Sequence, residues 1–160
     1  MKRAVIAAAL SCVAAVVYAD IGPPTDVPSR ARGAQRVVVG RVIDVLAQFQ
    51  TNKSGDQLIV SNVLLEISET LKGAPASMLR MSVEGGTVGD LTLKVSDMPA
   101  LHSGDRGVFF LDGDANGMHI PHDRGRGVLK LAPTDRVEGT LVTLDDIRQL
   151  VLGAAAQGAR

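Results

Sequence analysis

The chain has 160 residues with 17 basic against 17 acidic side chains, and its aromatic content is one Tyr and three Phe with no Trp. A near-neutral chain lacks the electrostatic footprint that nucleic acid or an anionic membrane surface requires, and so few rings argue against stacking platforms for bases or sugars. Its single cysteine, Cys12, lies in the N-terminal apolar segment, so the remainder excludes disulfides, cysteine-zinc sites, iron-sulfur clusters and cysteine nucleophiles together.

Residues 1–19 read as a secretory signal peptide. Met1-Lys2-Arg3 is a short positive start, Ala4 to Val17 an apolar run, and Val17-Tyr18-Ala19 a small-residue exit, so cleavage is expected after Ala19 with Asp20 leading the mature chain. That places the protein in the periplasm or outside the cell. The apolar run falls short of the roughly 20 residues of a spanning helix and no later segment reaches that length, so no membrane insertion is expected once the signal is gone. A lipidated Cys12 is the competing reading, but Ala9-Leu10-Ser11-Cys12 carries alanine where a lipobox usually has leucine. Loss of the signal removes Lys2 and Arg3 and no acid, which leaves the mature chain slightly acidic.

Residues 20–35, with Pro23, Pro24 and Pro28, read as an N-terminal arm or linker, in which Ser29 caps one helical turn before Gly33. Residues 36–160 form the folded domain. Val37, Val39, Ile43 and Val45 share one face of a strand with Gly40 as a bulge. After the polar turn Thr51 to Asp56, Ile59, Val63, Leu65 and Ile67 mark a second long strand. Leu79, Met81 and Val83, and then Leu91, Leu93 and Val95, alternate with polar residues as two half-buried strands. Val108 to Leu111 is a continuous apolar run, the pattern of a strand covered on both faces. Shorter strands are expected over Met118 to Ile120, Gly127 to Leu131 and Arg136 to Gly139. Thr143 and Asp146 make an acidic capping box, and Leu144, Ile147, Leu150, Val151 and Ala154 form one stripe of a helix over residues 144–155. The expected fold is mainly β: a small antiparallel OB-like β-barrel with one C-terminal amphipathic α-helix packed across one end, its core centred on Phe109, Phe110, Ile67 and Leu93.

Four segments in order support that fold by resemblance: Val37 to Val42, Leu65 to Gly73, Gly85 to Gly89, and Gly104 to Leu111. Together they resemble secreted bacterial domains whose barrel is similar to the netrin-like OB-fold of the tissue inhibitors of metalloproteases. The resemblance covers about residues 36 to 132 and implies the barrel. It does not imply protease inhibition, because those inhibitors ligate zinc through an N-terminal cysteine and the mature chain has none. Gly73, Gly85, Gly86 and Gly104 also fit ordinary turn needs, and Lys72 reads as a solvated charge at a strand end.

Three constellations carry chemistry. Asp112, Asp114, Asn116, the Met118 carbonyl and Asp123 follow the spacing of a calcium loop, an oxygen-rich set suited to a hard cation. Against it, the flanks are strand-like, Pro121 interrupts the loop, and Asp-Gly and Asn-Gly also suit a hairpin turn. His119 and His122, with His102 elsewhere, lack a third fixed ligand for a transition metal. His102-Ser103-Gly104-Asp105 holds the residue types of a hydrolytic relay, but adjacency does not supply relay geometry, and GxSxG, HExxH and phosphate-loop patterns are absent from the sequence. The expected function is therefore that of an exported non-enzymatic β-barrel, a protein-binding or structural module without cofactor. A calcium-stabilised module and a hydrolase are the alternatives. Its expected partner surface combines Gly85, Gly86, Thr87, Val88 and Asp90 of one loop with Arg124 and Arg126 of another, because recognition concentrates in loops on a rigid scaffold.

Overall fold

Alternation along the strands sorts the apolar residues into two cores, and the described elements are arranged around that division. The computed structural model describes residues 26–52, 54–113 and 117–158. The signal peptide, its cleavage point and Cys12 lie outside the described residues, as do Asp114 and Asn116. In chain order the elements are α1 (Val27–Gly33), β1 (Arg36–Thr51), β2 (Gln57–Lys72), β3 (Met78–Glu84), β4 (Gly86–Val88), β5 (Leu91–Leu93), β6 (Arg106–Gly113) and β7 (His119–Pro121). A 3-10 turn (Arg124–Gly127), β8 (Val128–Leu131) and α2 (Leu144–Gly158) follow. No described helix is long and apolar enough to cross a membrane.

The main sheet has the order β1-β2-β3-β7-β6-β8, and β1 also pairs with β6, so the sheet curls into a partly closed ring. Its seam is thin: β3 meets β7 in parallel through the single pair Met81 and His119. β7 and β8 follow one another along the same side of β6, separated by the 3-10 turn. β4 and β5 form a separate two-stranded hairpin.

Inside the ring lie Val38, Val42, Val63, Leu65, Met81, Val83, Leu101, Phe109, Leu111 and Val128. The second core is outside it, where Val37 and Val39 of β1 and Val108 and Phe110 of β6 pack against Val27, Ala31 and Ala34 around α1 and Leu144, Ile147, Val151 and Ala154 of α2. The continuous apolar runs of β1 and β6 are thus covered on both faces, as expected for Val108 to Leu111. The α2 stripe is buried where expected, with Leu150 partly buried beside it, in the outer core it shares with α1, β1 and β6, and Arg148 ties the helix to Glu69 of β2 at 2.7 Å. Its N-terminus carries the expected box: Asp146 accepts the Thr143 N–H at 2.8 Å and the Thr143 hydroxyl accepts the Asp146 N–H at 3.2 Å. Those partners hold the Asp146 carboxyl below its ordinary range, led by the Thr143 hydroxyl.

Other expectations need correction. The segment read as a loose arm contains α1, which is docked with Val27 and Ala31 buried, and Ser29 sits within the helix instead of capping it. Lys72 is not a solvated charge: its ammonium donates to the carbonyls of Ala31, Arg32 and Ala34 at 2.7, 3.0 and 2.6 Å, closing the C-terminus of α1. Arg136 to Gly139 makes isolated bridges instead of a strand. Ile67 and Leu93 are only partly buried: Ile67 packs against the margin of the interior core, Leu93 belongs to neither core, and the fully buried rings of Phe109 and Phe110 anchor one core each.

Phe109→Ala and Phe110→Ala should each lower the unfolding free energy by about 3–5 kcal/mol in urea denaturation, with Ile67→Ala and Leu93→Ala costing less. Thr143→Ala should cost about 1 kcal/mol through the lost cap. A Phe109→Ala protein as stable as the parent would remove the ring from the interior core.

Candidate functional site

α1 stands beside the end of β6 and the turn after β7, and a cleft of about 480 Å³ separates them. Asp26, Ser29 and Arg30 line one wall, and Asp112, His122, Asp123 and Arg126 line the other. Arg30 is 7 % exposed, with its guanidinium carbon 5.7 Å from the centroid of the Phe110 ring. It pairs with Asp26 and donates to the Arg126 carbonyl, while its Nε is buried with no partner among the described residues. Asp26 also receives Arg126 at 2.7 Å. Burial alone would raise the Asp26 carboxyl, but the Arg30 hydrogen bond and charge, with Arg126 behind them, hold it below the ordinary carboxylate range.

On the opposite wall, His122 Nδ1 lies 2.8 Å from Asp112 Oδ2. Asp112 Oδ1 accepts the Gln35 N–H at 3.1 Å, and the Gln35 side-chain oxygen accepts the Gly113 N–H at 3.2 Å. The far edge of the imidazole rests on α1, where a Cβ added at Gly33 would stand 2.5 Å from His122 Nε2. Asp123 and Arg124 then take φ of 53° and 57°, an uncommon conformation for residues with side chains. The turn is held by Arg124, which reaches Glu84 at 2.9 Å as well as Asp97, and by Gly125, whose Cβ would fall 1.6 Å from the Asp97 carbonyl oxygen. Hydrogen bonds to Asp97 and then Glu84 raise the Arg124 pKa, and the same bond lowers Asp97.

The cleft brings together part of what the sequence suggested. Asp112 and Asp123 share it, but Asp112 is engaged by His122 and Gln35, and Asp123 faces Arg126 at 3.4 Å. No group of three or more His, Cys, Asp or Glu suited to a metal occurs among the described residues. His119 Nδ1 lies 3.3 Å from the Asp112 carbonyl and His102 is remote in sequence, in the turn before β6. That turn is structural: Asp105 accepts the His102 N–H and the Lys130 ammonium, both at 2.9 Å, and the Ser103 hydroxyl donates to the Ile43 carbonyl at 2.8 Å. A serine, a histidine and an acid do line one cleft as Ser29, His122 and Asp112, a set that sequence distance concealed. The Ser29 hydroxyl has no hydrogen-bond partner among the described residues, so no relay joins it to His122.

The two loops expected to form a partner surface meet where Arg124 pairs with Glu84, the residue before Gly85. Their glycines are structural. Gly85 is buried, with its N–H on the Ile59 carbonyl at 2.8 Å and its carbonyl on the Ser61 hydroxyl at 2.7 Å. Gly86, at φ 134°, begins β4 so close to the sheet that a Cβ would lie 2.4 Å from Ser61 Oγ. Thr87 and Asp90 remain exposed and Val88 is half-buried. Of the expected arginines, Arg124 is spent on this junction and Arg126 on Asp26 and Asp123.

A feature unmarked in the sequence lies on β1. β6 pairs with it only as far as Arg41, and the Asp105 carbonyl and Gly104 N–H then bond Val42, each at 2.8 Å. From Asp44 to Thr51, β2 is the only strand that pairs with it among the described residues, while β4 packs over the face that carries Ala47, where a Cβ added at Gly86 would lie 2.9 Å from the Ala47 Cβ. The Val45 N–H is turned away from β2, onto the carboxylate of Asp44 at 2.9 Å. Phe49 sits opposite Ile59, whose carbonyl points the other way, to Gly85. Because the two polar groups of a residue leave an antiparallel strand on one side and the sides alternate, Val45, Ala47, Phe49 and Thr51 direct their backbone groups to an open edge. Leu46 and Phe49 are 60 % and 47 % exposed on this stretch.

Compared with protein-family models and with curated proteins, the chain matches none.

Asp26 generates a pH test. Its folded pKa is below its unfolded one, so its contribution is complete above the ordinary carboxylate range and is lost as pH falls through the folded value. In thermal unfolding between about pH 5 and about pH 2, Asp26→Asn should flatten the acid loss of stability relative to the parent. An unchanged acid slope would contradict the pairing with Arg30.

Proposed function

We propose that this chain is an exported, non-enzymatic OB-like barrel that binds another polypeptide through the open edge of β1. The barrel assignment is supported by the circuit β1-β2-β3-β7-β6-β1 with its parallel β3-β7 step, together with the netrin-like resemblance of the strand motifs. Export is supported by residues 1–19, with cleavage after Ala19 and a periplasmic or extracellular destination.

The edge of β1 is the observation that carries the reading. A row of unpaired backbone groups is a template for another strand, and native edges are usually blunted by lysine, proline or a covering element. Asp44-Val45-Leu46-Ala47-Gln48-Phe49-Gln50-Thr51 contains no lysine, arginine or proline, and its one charge stands at the end. Backbone pairing supplies affinity in such strand addition, while alternate side chains supply selectivity. A hydrolytic reading has one observation in its favour, the shared cleft of Ser29, His122 and Asp112, and against it a Ser29 hydroxyl with no hydrogen bond among the described residues and the imidazole edge resting on Gly33.

Panning the chain from Asp20, which contains every described element, against a displayed library of unstructured peptides tests the proposal. Enriched peptides should alternate apolar and polar residues, and Phe49→Pro should abolish their binding, since it deletes an outward N–H and leaves the β2 ladder intact. Enriched peptides that bind Phe49→Pro as well as the parent would refute the edge as the site.

A further inference from the structure

The edge is also complementary to itself. Its outward backbone groups belong to Val45, Ala47, Phe49 and Thr51, a set symmetric about Gln48. An antiparallel partner related by a twofold axis at Gln48 would set Ala47 against Phe49 and Val45 against Thr51, so every outward donor and acceptor of the open stretch finds a mate. Side chains agree with that register. On one face the small Ala47 meets the half-exposed Phe49, and on the other Leu46 meets Gln50. The only charge, Asp44, faces Asn52, so no like charges meet across the axis. The Asp44 carboxylate, which holds the Val45 N–H at 2.9 Å, would release it to the Thr51 carbonyl of the second copy.

We propose that a second copy of this chain docks on the edge, pairing β1 with β1 antiparallel about Gln48 and joining two six-stranded sheets into one. This rests on the edge-binding reading above and names its occupant. One strand pair is a small interface, so the dimer belongs among weak, concentration-dependent associations.

Sedimentation equilibrium of the chain from Asp20, up to about 1 mM, should show reversible dimerisation. Gln48→Lys places like charges opposite one another at the axis and should weaken it about fivefold, as should Gln48→Glu, whereas mixing the two variants should restore association. Gln48 is exposed, so both variants are expected to keep the parent circular dichroism. Because Cys12 is the only native cysteine, a Gln48→Cys protein offers one thiol per chain and should form a covalent dimer on oxidation. A monomer at all concentrations overturns self-pairing, and so does a dimer that ignores position 48 and fails to cross-link. Neither result disturbs peptide capture at the edge, whereas loss of both activities removes the two proposals together.

Discussion

β1 and β6 are buried on both faces where they pair, and the remainder of the molecule depends on that pairing. Val38 of β1 and Phe109 of β6 point into the ring, and their neighbours Val37, Val39, Val108 and Phe110 point out under α1 and α2. Each such side chain contributes about 1.5–3 kcal/mol when fully removed from water, so the register of this one pair decides the fate of both cores. A slip of one residue would exchange the two sets, driving Phe109 beneath the helices and Phe110 into the ring.

From that pairing follow the attachments of α1. Val27 and Ala31 reach the outer face of β1 and β6, and Lys72, delivered by the far end of β2, closes the helix on three carbonyls. A seven-residue helix is too short to persist alone, so its docking must supply its stability. Arg30 then spans the helix and the turn after β7, over Phe110, and His122 rests on Gly33. The cleft is the space left between these anchors. Its charges are largely paired within the protein, Asp26 with Arg30 and Arg126, Asp112 with His122.

Local pattern made much of this legible. The period-two strands, the doubly covered Val108 to Leu111 and the Thr143-Asp146 cap all depend on neighbours a few residues apart, which a sequence displays directly. α1 escaped because proline and a seven-residue span look like an arm unless the receiving surface is known. Lys72 escaped because its partners lie some 40 residues away. The Asp112-His122 pair sat inside a segment whose acids suggested a cation loop, but chain curvature turned one of those acids toward an imidazole. Gly85 and Gly86 were visible as special positions, and both take positive φ, Gly85 against the Leu93 carbonyl and Gly86 against Ser61 and Ala47. An open edge is defined by which strand is absent beside it, so nothing in the residues of β1 alone could announce it.

β1 is therefore one strand with two occupations. Its first part, Arg36 to Arg41, is committed to β6 and both cores, while Asp44 to Thr51 keeps one ladder with β2 and has no strand paired on its other side among the described residues. Residue-resolved amide hydrogen exchange in dilute protein measures that division most directly. An open edge should give unbroken protection from Val37 to Arg41, then alternation in which Leu46, Gln48 and Gln50 stay protected while Ala47, Phe49 and Thr51 exchange quickly. Uniform protection from Val45 to Thr51 in dilute protein would show the edge already covered within the monomer, leaving no strand free to pair.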